Sequence, residues 1–503
     1  MDLFLSGLEI LFDWQILLAI PLGLILGIVV GAIPGLTSDL GIILCIPLTY
    51  TMEPTVAILV LLAIYVGGTY GGSITAILIN TPGTSANAAA LFDGYPMTQN
   101  GEAYKALSMA LFASTVGGLI SAFVLLFAAP PIARVTLMFG PAEYLSLAVF
   151  GLSVIAGVSN NNILKGLMGA CIGIFVSTIG LDVISGTMRF TFGNLQLRRG
   201  IDLIIALIGL FAISEILMKA KYNPKTDRII VDPASITRCK VTKKEYRRCR
   251  KPLTIGTIIG IIIGATPGTG GGLAAFIAYN QVKQSSKHPE TFGKGEIEGV
   301  AVSESANNAA CGGTMIPMLT LGVPGDGATA ILMGAFMVHG LVPGPMLFKE
   351  QGHILYAIML GLIVVNISLW LVGNVFTKFY AHITRIPFEL LACIVLTFCA
   401  AGAYSTNNSM YDVYYIFIFG ILAYYLRLMD FQLVPILLGI VLGPLAELNF
   451  RRALILSDGS YSIFIKRPIS LAFLLIAFGS ILVFTIKNFL HQRSLGKEAS
   501  QME

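Results

Sequence analysis

The stretch GVAVSESANNAACGGTMIPMLTLGVPG, residues 299–325, places a group of polar side chains inside an otherwise apolar sequence. Two serines, two asparagines and Glu304 fall between positions 303 and 308, and Pro324-Gly325 closes the stretch. Polar and ionisable groups inside a membrane segment are costly and usually mark a functional site. If the surrounding chain lies in a bilayer, this stretch is therefore predicted to form a binding site.

The composition predicts that the chain lies in a membrane. Apolar residues make up 55% of the 503 positions, charged residues 12%, and the mean hydropathy is +0.82, whereas about a quarter of an ordinary soluble domain is charged. Windows such as 107–129 and 355–376 are long enough to cross the hydrocarbon core. We predict an all-α polytopic protein of the cell inner (cytoplasmic) membrane. The N-terminal stretch MDLFLSGLEILFDWQ lacks a basic segment and a cleavage site, so we expect the first span to be retained.

The segment 219–251 is basic, with twelve Lys and Arg against three Asp and Glu, while the whole chain carries a net charge of only +5. The positive-inside rule predicts that this loop is cytoplasmic. A nucleic-acid-binding patch is the alternative. A hydrophilic loop between two spans favours the topological role, so we expect no nucleic-acid partner.

The chain repeats itself across this loop. GAIPG at 31–35 returns as GATPG at 264–268, and TPG at 81–83 returns as VPG at 323–325. Further matches are GGS (71–73) with GGT (312–314), PAE (141–143) with PFE (387–389), and SNN (159–161) with TNN (406–408). The predicted organisation is a first transmembrane repeat (1–218), a basic cytoplasmic loop (219–252), a second transmembrane repeat (253–446), and a C-terminal span with its tail (447–503).

We expect the two repeats to be inverted relative to one another. The second repeat leaves a cytoplasmic loop, so the first should start outside, in agreement with the three acidic and no basic residues before the first span. Paired helix breaks in two such halves point to the site of a secondary transporter. Broken helices expose N–H groups that attract anions and carbonyl groups that coordinate cations. We therefore predict re-entrant hairpins that meet at a site near the membrane midplane.

The predicted substrate-binding residues lie at these breaks and in the polar stretch. They are Pro34, Gly35, Thr37, Ser38, Gly72, Ser73, Asn80, Pro82, Gly83, Thr84, Gly268, Thr269, Asn307, Asn308, Gly313, Thr314, Pro324 and Gly325. The alternative is that glycines merely allow helices to pack closely, and we favour that interpretation for isolated glycines such as Gly27 and Gly31.

Glu304 is the central candidate for ion coupling. A carboxylate at membrane depth costs at least ~2.5 kcal/mol unless it is paired or hydrated, which favours cation or proton coupling over a purely structural hydrogen-bonding role. The candidate cation ligands are Ser303, Glu304, Asn307, Asp39 and Asp326. We expect Na⁺ or H⁺ as the coupling ion and no other cofactor.

Several long motifs also carry a family resemblance. They are GAIPGLTSDLG, YVGGTYGGSITAILINTPGT followed by DGYPM, GATPGTGGGLAAFIAYN, FGKGEIEGVAVSESANNAACGG, and LTLGVPG followed by HGLVPGP. In their order and in both halves, they resemble the large membrane subunit (TctA-type permease) of the tripartite tricarboxylate transporters. The resemblance implies a symport permease that works with a small membrane subunit and an extracytoplasmic solute-binding protein. It also implies a cation gradient, often of Na⁺, and organic-acid substrates such as tricarboxylates.

Two positions depart from the family's usual pattern. Asp39 and Asp326 stand where small neutral or hydroxyl residues are common, and each adds negative charge beside the predicted anion site. This favours a monocarboxylate, a less acidic solute or altered cation coupling over citrate. The alternative is that both aspartates cap the helices that follow them.

Two other functions remain as alternatives to transport. An intramembrane enzyme would need a nucleophile with a base, or a metal cage, and the spans contain no His-Glu-x-x-His motif or convincing Ser/His pair. A non-transporting scaffold subunit would need no polar stretch. The sequence therefore predicts a transporter subunit rather than an enzyme.

Overall fold

The protein is described by a computed structural model that covers residues 2–33, 36–158, 163–182, 184–221, 240–376 and 388–482. Within these ranges the chain is almost entirely α-helical, and the one sheet is a two-stranded antiparallel hairpin of β1 (Gly180–Leu181) and β2 (Met188–Arg189). Seven described helices are long and apolar enough to cross a membrane. The predicted all-α polytopic fold is therefore confirmed.

Ten helices of the described ranges precede the basic loop. They are α1 (Asp2–Leu11), α2 (Trp14–Gly31), α3 (Ser38–Thr49), α4 (Pro54–Ile79), α5 (Ala88–Gln99), α6 (Ala103–Thr136), α7 (Pro141–Val158), α8 (Ile163–Ser177), α9 (Leu203–Leu207) and α10 (Ser214–Lys221). A short 3₁₀ turn, Ser85–Asn87, precedes α5, and a π-helical segment, Ile208–Ile213, joins α9 to α10.

Twelve described helices follow the basic loop. They are α11 (Lys243–Arg248), α12 (Arg250–Gly264), α13 (Gly270–Ser285), α14 (Ile297–Leu321), α15 (Gly327–Val338), α16 (Pro345–Glu350), α17 (Gly352–Phe376), α18 (Phe388–Asn407), α19 (Met410–Leu428), α20 (Leu433–Leu456), α21 (Ile463–Lys466) and α22 (Pro468–Leu482).

The helices form two compact units, of which the first comprises Met1–Thr136 and Met218–Asn408. At its centre are α4 and α14, whose residues are almost all buried. In this unit α2 packs against α4, α12 packs against α14, and α6 lies along α14. The second unit comprises Leu137–Leu217 and Ser409–Glu503, and its core forms where α20 packs on α8 and α19 packs on the π-helical segment.

Helices end at the predicted Pro-Gly breaks. Helix α2 ends at Gly31 and α3 starts at Ser38, where the Thr37 side chain caps it by accepting from the Leu40 N–H (3.2 Å). Pro34 and Gly35 themselves lie outside the described residues. Helices α12 and α13 flank the second break, and α12 has 15 residues, or roughly 22 Å, which is less than the ~30 Å of a hydrocarbon core. The α12–α13 pair thus has the dimensions of a re-entrant hairpin.

The glycine pairs behave differently from the Pro-Gly pairs. Helix α4 runs through Gly71-Gly72, and α14 runs unbroken through Gly312-Gly313 to its end at Leu321. These glycine pairs interrupt the apolar sequence but not the helix, because intrahelical hydrogen bonding tolerates glycine, at a cost of about 1 kcal/mol per residue. Helix α14, with 25 residues, is about 37 Å long and can span a bilayer. Its polar side chains keep it out of the set of apolar spans.

The same packing pattern occurs once in each half of the chain. Three glycines of α2 and three of α12 face carbonyl oxygens of α4 and α14, so closely that an added Cβ would lie under 3.0 Å from each oxygen. The pairs are Gly23–Val60, Gly27–Ile64 and Gly31–Gly68, and Gly256–Val302, Gly260–Ala306 and Gly264–Ala310. Each glycine of α2 recurs in α12 at one constant spacing, and each partner in α4 recurs in α14 at a second constant spacing. The structure thus contains the repeat, while its inverted orientation stays a prediction.

The other predicted boundaries also stay predictions. The limits at 218, 252 and 446 divide the chain by repeat, whereas each compact unit combines segments from both repeats. Most of the basic loop, residues 222–239, and the matched positions 159–161 and Pro387 lie outside the described residues.

Candidate functional site

Equivalent helix breaks follow α4 and α14. Asn80 ends α4 and Gly322 ends α14, both with left-handed backbone (φ 55° and 69°). The Thr84 N–H then donates to the Asn87 side chain (3.1 Å), and at the matched positions of the second half the Asp326 N–H donates to the Thr329 hydroxyl (2.9 Å). Left-handed caps and side-chain acceptors satisfy backbone groups that a broken helix leaves open. Local stereochemistry therefore builds the same turn twice.

Each break folds back against the helix that precedes it. The Gly83 N–H donates to the Gly72 carbonyl (3.3 Å), and an added Cβ at Gly325 would lie 2.6 Å from the Thr314 Cβ. The Gly268 N–H donates to the Gly325 carbonyl (2.7 Å), which joins the two breaks of the second half directly. An added Cβ at Gly83 or Gly325 would lie under 3.0 Å from a neighbouring atom, and Gly268 has left-handed backbone (φ 80°), which accounts for glycine at these positions.

We call the turns at the four helix breaks tips. The turn between α4 and α5 and the turn between α12 and α13 meet at Asn307. An added Cβ at Gly271 would lie 2.8 Å from Asn307 Oδ1 and 3.5 Å from the Ala86 Cβ, and one at Gly272 would lie 3.1 Å from Ser85 Oγ. We call these five residues the neutral tip site. Asn307 Nδ2 is buried and has no hydrogen-bond partner among the described residues. Helix α13 starts beside it, and its cap residue, Thr269, makes no side-chain capping hydrogen bond.

Two of the equivalent positions in the other pair of tips are aspartates. When the two halves are aligned by the constant spacings of their packing glycines and partners, Gly272, Thr84 and Asn307 match Asp39, Asp326 and Tyr65 in that order. The Tyr65 hydroxyl donates to Asp326 Oδ2 (2.8 Å), and the charges of Asp39 and Asp326 interact electrostatically. We call Asp39, Asp326 and Tyr65 the acidic tip site. Asp326 caps α15, as the alternative interpretation proposed, whereas Thr37 rather than Asp39 caps α3.

Glu304 lies at the centre of a hydroxyl network. Its side chain is fully buried, and its two carboxylate oxygens accept from Ser73 Oγ (2.7 Å) and Ser114 Oγ (3.0 Å). Asn87 Nδ2 donates to Ser73 Oγ (2.8 Å), and Thr84 Oγ1 donates to Asn87 Oδ1 (2.7 Å). A chain of hydrogen bonds therefore connects Glu304 to the turn that leads into the neutral tip site.

Other predicted site residues have structural roles near the tips. The Ser303 hydroxyl donates to carbonyls of its own helix, and Gly313 packs closely on α12. Asn308 Nδ2 lies 3.5 Å from the Glu304 carbonyl, while its Oδ1 is buried without a partner in the described ranges. Ser38 packs on Gly68, and its hydroxyl lies 3.4 Å from Asp39 Oδ1. The prolines Pro82 and Pro324 lie in the turns that follow Asn80 and Gly322.

Sequence reasoning missed Ser114, Asn87 and Tyr65. Ser114 lies in the long apolar run of α6, and Tyr65 in that of α4. Nothing in their local sequence marks them, because a serine or tyrosine in a span usually bonds its own backbone or faces the interface. Asn87 could have been found, since 87 and 329 are matched positions of the two repeated turns.

Asp93, in the DGYPM motif, holds the two halves together below α14. Its buried carboxylate accepts from the backbone N–H groups of Gly293 (2.8 Å), Gly295 (3.0 Å) and Glu296 (2.7 Å) and from the Tyr279 hydroxyl (2.8 Å). These groups lie just before α14 and on α13. Asp93 therefore positions the start of the helix that carries Glu304 and Asn307.

Comparisons with known proteins show which sequences this chain resembles. The profile described as "Tripartite tricarboxylate transporter TctA family" matches residues 17–438. An "Uncharacterized 52.8 kDa protein in TAR-I ttuC' 3'region" of Agrobacterium vitis is 38% identical over 442 residues, 88% of each chain. An "Uncharacterized protein in TAR-II ttuC' 3'region" of the same organism is 40% identical over 215 residues, 43% of this chain and 89% of the relative. No solved structure matches the chain.

The family match covers all four helix breaks and the polar stretch of α14, and it confirms the resemblance carried by the sequence motifs. It also bears out the prediction of a transporter component rather than an enzyme. The chain belongs to the tripartite tricarboxylate transporter TctA family.

Proposed function

We propose that this membrane subunit carries out cation-coupled uptake of an organic acid across the cell inner membrane. Membership of the family implies a tripartite system with a small membrane protein and a periplasmic binding protein. In this proposal the extracytoplasmic solute-binding protein delivers the acid, and Na⁺ or H⁺ drives its symport.

The neutral tip site is proposed to bind the substrate carboxylate. The observation that carries this proposal is Asn307 Nδ2, a buried amide donor without an acceptor in the described residues, beside the start of α13. A buried donor without a partner costs about 1–3 kcal/mol, and an anionic ligand would satisfy it. Open N–H groups at the first turn of α13 add partial positive charge for the same anion.

Glu304 is proposed to be the coupling group. In the described residues its carboxylate receives hydrogen bonds from two serine hydroxyls and forms no ion pair, so a bound Na⁺ or H⁺ would offset the cost of its charge. The Glu304–Ser73–Asn87–Thr84 chain links this group to the turn at the neutral tip site. Binding of the cation and of the carboxylate would therefore stabilise the same turn, which is the thermodynamic requirement for coupling.

The acidic tip site is proposed to limit the substrate's charge. Asp39 and Asp326 add negative charge next to the tips, and their equivalents at the other pair of tips, Gly272 and Thr84, carry none. Repulsion from two aspartates disfavours a trianion such as citrate, so we propose a monocarboxylate or another weakly acidic solute. The same two aspartates are candidates for a second coupling cation.

The test is uptake by proteoliposomes that contain the two membrane subunits and receive solute loaded on the binding protein. Asn307→Asp keeps the size of the side chain but places a carboxylate where the donor should be, and we expect gradient-driven uptake to fall to background. Asn194→Asp is the matched control, because exposed Asn194 accepts from the Gln196 N–H through its oxygen, which aspartate retains. Uptake by Asn307→Asp at the control rate would contradict the proposed carboxylate site. An absence of gradient-dependent uptake in the wild type would favour a scaffold or an enzyme instead.

A further inference from the structure

A second polar feature lies at the ends of α12 and α13 that are opposite to their tip. A cavity of about 470 Å³ opens there between the first turns of α12 and the segment that follows α13. Its lining includes Arg248, Lys251, Ile255, Ser285, Lys287 and Glu298. None of them belongs to the tip sites, so the cavity needs a separate explanation.

The cavity carries positive charge that the protein does not neutralise. Arg248 forms ion pairs with Glu296 and, at 2.6 Å, with Glu298, so its charge is more than balanced, and with Lys251 and Lys287 the group keeps a net charge of +1. Lys251 and Lys287 are exposed and form no ion pair among the described residues. Two ammonium groups beside serine hydroxyls favour an anionic ligand that can accept several hydrogen bonds, such as a phosphate.

The cavity continues into an apolar, exposed helix face. On α12, Lys251 is followed on the same side by Ile255, Ile258 and Ile262, at helical spacings. Ile258 is 52% and Ile262 is 63% exposed, and Ile277 on the neighbouring α13 is 42% exposed. A free phosphate would use the basic end of this surface and leave the apolar face unused.

We propose that this cavity binds the headgroup phosphate of an anionic phospholipid whose acyl chains lie along the exposed face of α12. Basic pockets at the cytoplasmic ends of membrane helices are suited to such headgroups. The charge of the cavity accounts for the phosphate, and the isoleucines account for the chains. A lipid bound here would contact the hairpin whose opposite end forms part of the neutral tip site.

Native mass spectrometry of the full chain from nanodiscs of mixed phosphatidylglycerol and phosphatidylcholine tests the proposal. We expect retention of phosphatidylglycerol over phosphatidylcholine. The double variant Lys251→Ala/Lys287→Ala should bind it about thirtyfold more weakly, since a lysine near an anionic headgroup contributes about a factor of five. The control is Lys243→Ala/Lys244→Ala, which removes the same charge from exposed positions of α11 outside the cavity and should leave binding unchanged. Size-exclusion profiles of both double variants establish that they fold.

Inorganic phosphate and glycerophosphoglycerol distinguish the possible sources of the phosphate. Both lack acyl chains, and at millimolar concentration neither should displace the lipid. Displacement by either would assign the cavity to a soluble phosphate compound and overturn the lipid proposal. Equal loss of lipid from both double variants, or no preference for phosphatidylglycerol in the wild type, would also overturn it. These measurements need no transport activity, so they are independent of the proposed function.

Discussion

Replacing Glu304 with glutamine separates an ion-coupling role from a structural one. A carboxylate at membrane depth costs at least ~2.5 kcal/mol, which the neutral amide recovers. The amide keeps one acceptor oxygen, so one of the serines Ser73 and Ser114 must turn its hydroxyl to accept from the new NH2 group. Both hydrogen bonds then weaken, because a bond to a charged group contributes about 1.5–3 kcal/mol and one between neutral groups about 0.5–1.5 kcal/mol. Two bonds therefore lose roughly 2–3 kcal/mol together. The two effects nearly cancel, and we expect the free energy of unfolding to change by less than about 1 kcal/mol.

Uptake should respond quite differently. Without the carboxylate, uptake of the organic acid driven by a Na⁺ or H⁺ gradient should fall to background in reconstituted proteoliposomes. Thermal unfolding of the same purified sample measures stability, and Glu350→Gln is the matched control at an exposed position at the end of α16. Uptake by Glu304→Gln near the wild-type rate would refute the coupling role. A clear fall in melting temperature with a parallel loss of uptake would instead assign Glu304 to a structural role.

Three further predictions concern the packing and the topology. Asp93→Ala leaves four donors without their acceptor, and it should lower the free energy of unfolding by at least ~3 kcal/mol in thermal unfolding. Asp93→Asn keeps one oxygen and should lower it less. Equal losses of stability in the two variants would contradict the hydrogen bonding described. Gly264→Val should lower the yield of folded protein because its side chain would clash with the Ala310 carbonyl, whereas Gly479→Val, where an added Cβ meets nothing within 4 Å, should not. Leu5→Cys should react with an impermeant thiol reagent in intact cells, and labelling only after permeabilisation would contradict the inverted arrangement of the repeats.

The helix breaks were predictable because their causes are local. Proline removes a backbone donor and glycine adopts the left-handed backbone, so Pro267-Gly268 and Pro324-Gly325 identify two turns without any knowledge of their neighbours. The limit of local reasoning is visible at Gly312-Gly313, where two glycines remain helical because α14 packs against α6 and α12 on both sides. Mean hydropathy likewise does not identify α14 as a possible span, since burial inside the protein, and not contact with lipid, sets its composition.

By itself, the sequence determined that this is a helical membrane protein with a duplicated pattern of breaks, and that Glu304 is an exceptional residue. Composition, repeat spacing and turn stereochemistry are properties of short segments, so they can be read from the sequence without the tertiary structure. Only the tertiary structure decided which groups surround Glu304, because Ser73 and Ser114 are 231 and 190 residues away from it in the chain. Their contacts depend on how closely glycine-lined helices approach, and that distance is fixed by packing among many residues rather than by any one segment.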